Sequence, residues 1–208
     1  MTEALLNFIH NNSIKGFLSD QEGLALYQRV LQVCHLGPCL EIGSYCGKST
    51  VFIGKACQQR NGLLVAIDHH RGSEEHQPGQ EYHDIELLDY KRNGIDTFSY
   101  FRQTLELAEL ESTVIPIVAS SHQAARFWST PLSFVFVDGG HSPTAAMFDC
   151  QQWSQHILAG GILAIHDIFP DPAQGGQGPY QALQHIYESG SWKLCEQVGS
   201  LGILERKQ

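Results

Sequence analysis

The chain has 208 residues, a length that one α/β core can fill, and its 42% hydrophobic and 17% charged content is that of a globular rather than a disordered protein. Its net charge of −9 comes without any compensating Lys/Arg run, which argues against a nucleic-acid backbone as partner, and no apolar run approaches the ~20 residues that span a bilayer. The six cysteines form no C-x-x-C pair and several sit within apolar runs, as buried reduced thiols do; with no basic segment and long apolar core at the N-terminus, a cytoplasmic location is expected.

In chain order, Glu3 to His10 is a short amphipathic helix. Ser19 and Glu22 form Ser-x-x-Glu, a capping box, ahead of the helical apolar positions Leu24, Leu26, Val30 and Leu31. Gly37-Pro38 breaks the chain before a first strand, Cys39 to Ile42. The stretch Leu40 to Thr50, Leu-Glu-Ile-Gly-Ser-Tyr-Cys-Gly-Lys-Ser-Thr, then reads as strand, tight glycine turn and the start of a helix that runs from Lys48 to Gln59. That is the opening of a nucleotide-binding α/β unit, in which Gly43 and Gly47, lacking side chains, let backbone N–H groups and a ligand approach. A phosphate-cradling P-loop needs four residues between its glycines, and here only Ser44-Tyr45-Cys46 intervene; the same three residues break the dinucleotide fingerprint. The pattern that remains, acid-x-Gly-x-x-x-Gly, suits a ligand with an amino-acid end and no phosphates. Glu41 would face its ammonium, and the N–H groups of the turn its carboxylate or ribose. Cys46 reads as a packing residue.

Leu63 to Asp68 is a continuous apolar run closing on an acid, a strand buried on both faces of a parallel sheet. Asp68 stands about 20 residues beyond the glycine turn, where a carboxylate can accept from ribose hydroxyls. The segment from His69 to Asp96 carries His69, His70, Glu74, Glu75, His76, Glu81, His83 and Asp84, too polar for a core element and long for a connection; a substrate-covering lid is expected, with a metal site or a plain surface loop as alternatives. A helix follows over Thr97 to Leu110, then a third strand, Val114 to Ala119, ending in Ser120-Ser121-His122. The fourth is Phe134 to Val137 with Asp138-Gly139-Gly140-His141 after it. A helix spans Ala145 to Leu158, and the fifth strand, Ile162 to Ile165, runs into His166-Asp167. A Pro/Gly-rich stretch from Ile168, a helix from Tyr180 to Ser189 and a hairpin of Trp192–Val198 with Leu201–Glu205 close the chain.

Two apolar strands that each end in Asp and His hold the chemistry, because ligands of open α/β sheets bind at the carboxyl ends of strands where strand order reverses. If the fourth and fifth strands are neighbours, Asp138, His141, His166 and Asp167 converge, either as a hydrogen-bonded polar cluster or as a divalent cation site. The glycine-turn motif resembles motif one of class I methyltransferases that use S-adenosylmethionine, and Gly-x-Tyr-Cys-Gly-x-Ser is similar to the catechol O-methyltransferase group. The resemblance implies an α/β, Rossmann-like, doubly wound and mostly parallel seven-stranded sheet with an antiparallel last strand. It implies one domain over residues 1–208: N-terminal helices over 1–36, a cofactor-binding core over 39–168, and pocket rim, helix and closing hairpin over 169–208.

Carried over to this sequence, the cofactor would be held by Glu41, Gly43, Ser44, Tyr45, Gly47, Ser49, Asp68, His69, Ser120, Ser121 and Asp138. A divalent metal would sit on Asp138, His166 and Asp167. Here His166 stands where the resembled enzymes carry a carboxylate, so manganese, iron or zinc would suit the site better than magnesium. His141 falls where those enzymes carry a lysine base, three residues past the metal Asp, and is the expected general base beside Asp138. The expected activity is O-methylation of a small hydroxylated molecule, in a protein without nucleic-acid or membrane partners and with a homodimer as the oligomer to consider. Metal-dependent oxidation or hydrolysis on the same fold, or a non-catalytic cofactor-binding module, are the alternatives.

Overall fold

The structure is a computed structural model that describes residues 2–73, 84–89 and 94–208. Helices α1 (Thr2–Asn11) and α2 (Asp20–Val33) precede strand β1 (Cys39–Ile42), helix α3 (Lys48–Gln59) and β2 (Leu64–Asp68). The capping box is formed as expected: Ser19 accepts from Glu22 N, and the Glu22 carboxylate reaches back to Ser19 N. A short antiparallel pair, β3 (Leu88–Asp89) with β4 (Gly94–Ile95), leads to α4 (Phe98–Leu107). Then come β5 (Val114–Val118), a one-turn helix α5 (Ser121–Ala125), β6 (Leu132–Val137), α6 (Pro143–Ser154), β7 (Ile157–Ile165), α7 (Gly178–Glu188) and the hairpin β8 (Trp192–Val198) and β9 (Leu201–Arg206).

Seven strands form one sheet in the order β5-β2-β1-β6-β7-β9-β8, with β9 antiparallel to both its neighbours. This is the expected doubly wound, mostly parallel sheet with an antiparallel final strand. Strand order reverses between β1 and β6, so a crevice opens outside their carboxyl ends. Because side chains alternate along a strand, the sheet buries two cores. Cys39, Ala66, Phe134, Phe136 and Ala164 face α1 to α4, whereas Leu40, Ile42, Val65, Val135, Val137 and Ile165 face α5 to α7.

One helix boundary is corrected, and local detail is added elsewhere. The helix expected to reach Leu158 starts at Pro143, capped by Ser142, and stops at Ser154; Ile157 is already in β7, paired to Leu132, because its apolar side chain is buried better by the sheet than by another helical turn. The third strand forms as expected, as β5, an edge strand with Ile115 and Val118 exposed, where Pro116, which lacks an N–H, is tolerated. The one-turn helix after Ser120 went unforeseen. Within the 69–96 segment, the 3-10 turn Ile85–Leu87 and the β3–β4 pair bury Leu87 and Ile95 against Cys46, so this part is packed rather than open loop. The expectation of a lid over Glu74, Glu75, His76, Glu81 and His83 lies outside the described residues. Among the described residues no helix is long and apolar enough to cross a membrane.

Candidate active site

A cleft of about 1090 Å³ lies at the carboxyl ends of β1, β2, β6 and β7. Its position follows from register. Ile42 is level with Ile67 and Val137, and Val137 with Ile165; the ladder runs one residue further, through Gly43 N to Ile67 O (3.0 Å), Asp138 N to Ile42 O (2.8 Å) and His166 N to Val137 O (3.1 Å). Gly43, Asp68, Asp138 and His166 therefore end their strands at one level. Two-residue alternation puts Asp138, after Phe136, and His166, after Ala164, on the face covered by α2.

On that face His166 is 7% exposed and surrounded by acids. Its Nδ1 lies 3.0 Å from Asp138 Oδ1 and 3.5 Å from Asp167 Oδ2, and its Nε2 lies 3.4 Å from Glu22 Oε2, which α2 brings in from the other side. Burial alone would drive the proton off this ring; the charge and hydrogen bond of Asp138, with those of Asp167 and Glu22, outweigh it and hold the imidazole protonated well above its ordinary range. Asp167 takes a left-handed backbone (φ 58°), tolerated by Asp, and this turns its side chain back toward the cluster. His141 Nε2 is 2.9 Å from Asp167 Oδ2. Burial raises Asp167, but hydrogen bonds from His141 and His166 hold it below the usual carboxylate range.

The four residues expected to converge do so. His166 Nδ1 faces Asp138 and Asp167, while its buried Nε2 has no hydrogen-bond partner among the described residues. The grouping Asp138, His141 and Asp167 has donor atoms within 4.8 Å of one another. Two carboxylates and an imidazole are donors that manganese, iron or zinc accepts.

At the glycine turn the expectations are also revised. Glu41 does not line the cleft: it lies one residue short of the strand end on the α3 face, wholly buried, and accepts from Thr50 Oγ1 at 2.5 Å. Gly43 is required less by a ligand than by the neighbouring strand, since a Cβ there would meet Asp138 O at 2.1 Å; a Cβ on Gly47 would meet the Thr104 methyl at 3.0 Å, and Gly47 is not among the cleft-lining residues. The N–H groups of Ser44 (3.0 Å) and Tyr45 (2.8 Å) donate to Asp68 Oδ2, and His70 N donates to Asp68 Oδ1 (2.7 Å), so Asp68 holds the turn while still lining the cleft. Ser44, Tyr45, Ser49 and His69 line it too, and Cys46 is buried packing. Ser120 does not reach the cleft because it caps α5, whereas Ser121 does. Ser121 Oγ accepts from Trp153 Nε1 (2.8 Å) and donates to Asp149, an α6 acid pushed up to about 6 by burial.

Sequence reasoning missed Glu22, seen only as a helix cap, and Asp149, whose arrival at the cleft depends on how α6 docks. The Phe169–Gly176 loop, expected to rim the pocket, lines the cleft with Phe169, Gln174, Gly175 and Gly176, and Gln177 Nε2 closes it on Phe169 O (2.9 Å).

Glu41 supplies a first prediction. Burial pushes its carboxyl up to about 8, opposed by hydrogen bonds from Ser49 and Thr50. The folded state thus keeps a proton that the unfolded chain releases, and this contribution to stability is full below the ordinary value of 4.5 and lost as pH rises toward about 8. Denaturant unfolding at a series of pH values should show Glu41→Gln with a flatter profile across that window than the native chain. Parallel profiles would refute the buried, protonated carboxyl.

Residues 40–168 match the family model described as "Methyltransferase domain". Among solved structures, the chain superposes on a Podospora anserina methyltransferase bound to SAH with a TM-score of 0.69 at 12% identity, covering 99% of this chain and 88% of that one. An O-methyltransferase from Bacillus cereus in complex with SAH gives 0.63 at 14% identity over 100% and 90% of the two chains. One from Streptomyces achromogenes involved in tomaymycin synthesis, in complex with SAM, gives 0.63 at 14% identity over 100% and 89%. Identities this low carry the fold alone.

Proposed function

The chain belongs to the methyltransferase-domain family and is an S-adenosylmethionine-dependent methyltransferase, and from that premise we propose that it methylates a hydroxyl oxygen of a small molecule, with His141 as general base. The observation that carries this reading is the His141–Asp167 pair at 2.9 Å, lining the cleft beside Asp138 at the strand-order switch. With Nε2–H donated to the Asp167 carboxylate, Nδ1 becomes the basic nitrogen, and Asp167 fixes the ring's tautomer and orientation.

In this reading the cofactor's amino-acid end lies by Gly43, Ser44 and Ser49, its ribose by Asp68 and His69, and its adenine by Ala119, Ser121 and Asp149, all of which line the cleft. A cofactor held so would supply its electrophilic methyl near Asp138 and His141, which line the same cleft. Phe17 and the Phe169–Gly176 loop, which line the same cleft, would flank the acceptor. The acceptor's hydroxyl oxygen would take the methyl as the cofactor's carbon–sulfur bond gives its electrons to sulfur, and His141 would take the hydroxyl proton. The products are the methyl ether and S-adenosylhomocysteine. Holding oxygen and methyl in line at near contact supplies much of the acceleration, and no covalent intermediate on the protein is needed. Metal assistance, which the resemblance implied, has no part in this reading.

Calorimetry with S-adenosylhomocysteine, with NAD as control, tests the cofactor; radiolabelled methyl transfer to a library of hydroxylated metabolites tests the reaction. Binding of S-adenosylhomocysteine alone, with label appearing in an ether, is expected. A preference for NAD, or label transferred only to nitrogen acceptors, would refute the proposal.

A further inference from the structure

The glycine turn after β1, Asp68 at the end of β2 and the stretch after β5 lie side by side along the crevice, because the sheet runs β5-β2-β1 and Val118 is level with Asp68. A cofactor with its amino-acid end at the turn and its ribose at Asp68 therefore has its base beyond β2, at the β5 end. Ala119, Ser121, Gly139 and Asp149 line the cleft there. The first three follow strand ends, and Asp149 is brought in by α6. Asp149 is only 5% exposed, and its neighbours fix it. Trp153, wholly buried one turn further along α6, donates Nε1–H to Ser121 Oγ (2.8 Å), and Ser121 spends its only proton on Asp149 Oδ1. Asp149 Oδ2 is left without a hydrogen bond among the described residues. It faces the bare backbone of Gly139, where a Cβ would meet it at 3.0 Å.

With the cofactor placed as proposed above, we propose that Asp149 is the residue by which this cleft selects adenine over 6-oxo bases, its Oδ2 accepting a hydrogen bond from the exocyclic amino group. Ser121 and Asp149 have only acceptor capacity left at this end of the cleft, so what they recognise must be a donor. Adenine presents one at position six. Hypoxanthine and guanine present a carbonyl oxygen there, which would be set against a carboxylate oxygen. The buried oxygen lacks a donor until the amino group supplies one, and a base that cannot supply it leaves the charge unsatisfied. Burial pushes the Asp149 carboxyl up to about 6, opposed by the hydrogen bond from Ser121, so at neutral pH it is an ionised acceptor. Gly139 belongs to the same device, because a side chain on it would crowd the oxygen that the amino group must reach. Asp149 touches the base and not the reacting atoms, which makes it a specificity residue.

Calorimetry of the full chain at about pH 7.5 compares S-adenosylhomocysteine with its 6-oxo analogue, S-inosylhomocysteine. The native chain should bind the 6-oxo analogue about 10–100-fold more weakly, the range set by one hydrogen bond to a charged group. Asp149→Asn keeps the size of the side chain and the acceptor for Ser121, but turns Oδ2 into an amide that donates. Its affinity for S-adenosylhomocysteine should fall about tenfold or more while the 6-oxo analogue binds at least as tightly as to the native chain, so that the preference closes to within about threefold or inverts. Equal affinity of the native chain for the two analogues overturns the proposal, and this comparison needs no variant to fold. An Asp149→Asn that weakens both analogues by the same factor also overturns it, since a residue that only packs α6 against α5 would do that. If the native chain binds neither analogue, the cofactor reading falls and takes this assignment with it; S-adenosylhomocysteine bound without preference removes this assignment alone.

Discussion

His141→Gln is expected to lower kcat by about 10²–10⁴-fold, the range a positioned general base contributes, while the affinity for S-adenosylmethionine stays within a few-fold of the native value. The glutamine amide can still donate to Asp167 from the place of Nε2–H, so the carboxylate keeps a partner and the rim of the cleft keeps its shape. What the substitution removes is a nitrogen able to take up the hydroxyl proton at neutral pH. Uniform binding would then be untouched and only the transition state weakened, so kcat and kcat/KM should fall together. Single-turnover methyl transfer with a saturating acceptor measures this without interference from product release. A variant with native turnover would remove His141 from the mechanism; one with intact chemistry and lost cofactor affinity would make it a binding residue instead. Asp167→Asn is less clean as a test, because Asp167 touches both histidines at once.

The parts of this protein that could be read in the sequence are those fixed by local periodicity. Unbroken apolar runs at Leu64–Ile67 and Phe134–Val137 could only be strands buried on both faces, and their parallel pairing with β1 brings Asp68 and Asp138 to the same edge. Ser19-x-x-Glu22 marked the start of α2 because a cap depends on residues within one turn. Periodicity was silent on which way a strand-end side chain turns and on what meets it from a distant element. Glu41 looked like a ligand-facing acid, yet its place in the alternation sends it under α3 to Thr50. His166 could be read as a strand-end residue beside Asp138, but periodicity did not show that the same alternation brings it within 3.4 Å of an acid 144 positions earlier in the chain. Asp149 reads as one more polar position on a helix until the docking of α6 sets it against Ser121. The glycines misled in a related way: their missing side chains were credited to a ligand, while at Gly43 it is the carbonyl of Asp138 that needs the room.

Glu22→Ala should destabilise the fold far more than its exposed-looking position in a first helical turn suggests. The carboxylate accepts from Ser19 N (2.9 Å) and Ser19 Oγ (2.7 Å) on one side and from Ser200 N (2.8 Å) and Ser200 Oγ (2.9 Å) on the other, besides facing His166. It thus ties the start of α2 to the β8–β9 turn and to the strand-end cluster. That turn reaches it because Gly199 adopts φ 57° and has no Cβ; one placed there would meet Glu22 Oε1 at 2.7 Å. Loss of a helix cap alone costs about 1 kcal/mol, and Ser19→Ala should show that much. Removing one partner of a buried charge pair typically costs about 3–5 kcal/mol, since the other charge stays buried without it. For a chain of this size that corresponds to a fall in Tm of roughly 6–20 °C. Burial raises the Glu22 carboxyl, but hydrogen bonds from His166 and Ser19 bring it well below its ordinary value. Its contribution is therefore present above the ordinary value of 4.5 and lost as pH falls through the lowered one, so the gap between native chain and variant should narrow in acid. Thermal unfolding of Glu22→Ala and Ser19→Ala side by side separates the two roles. Equal losses would make Glu22 a cap and nothing more; a much larger loss in Glu22→Ala that narrows in acid makes it the anchor that holds the charged cluster in place.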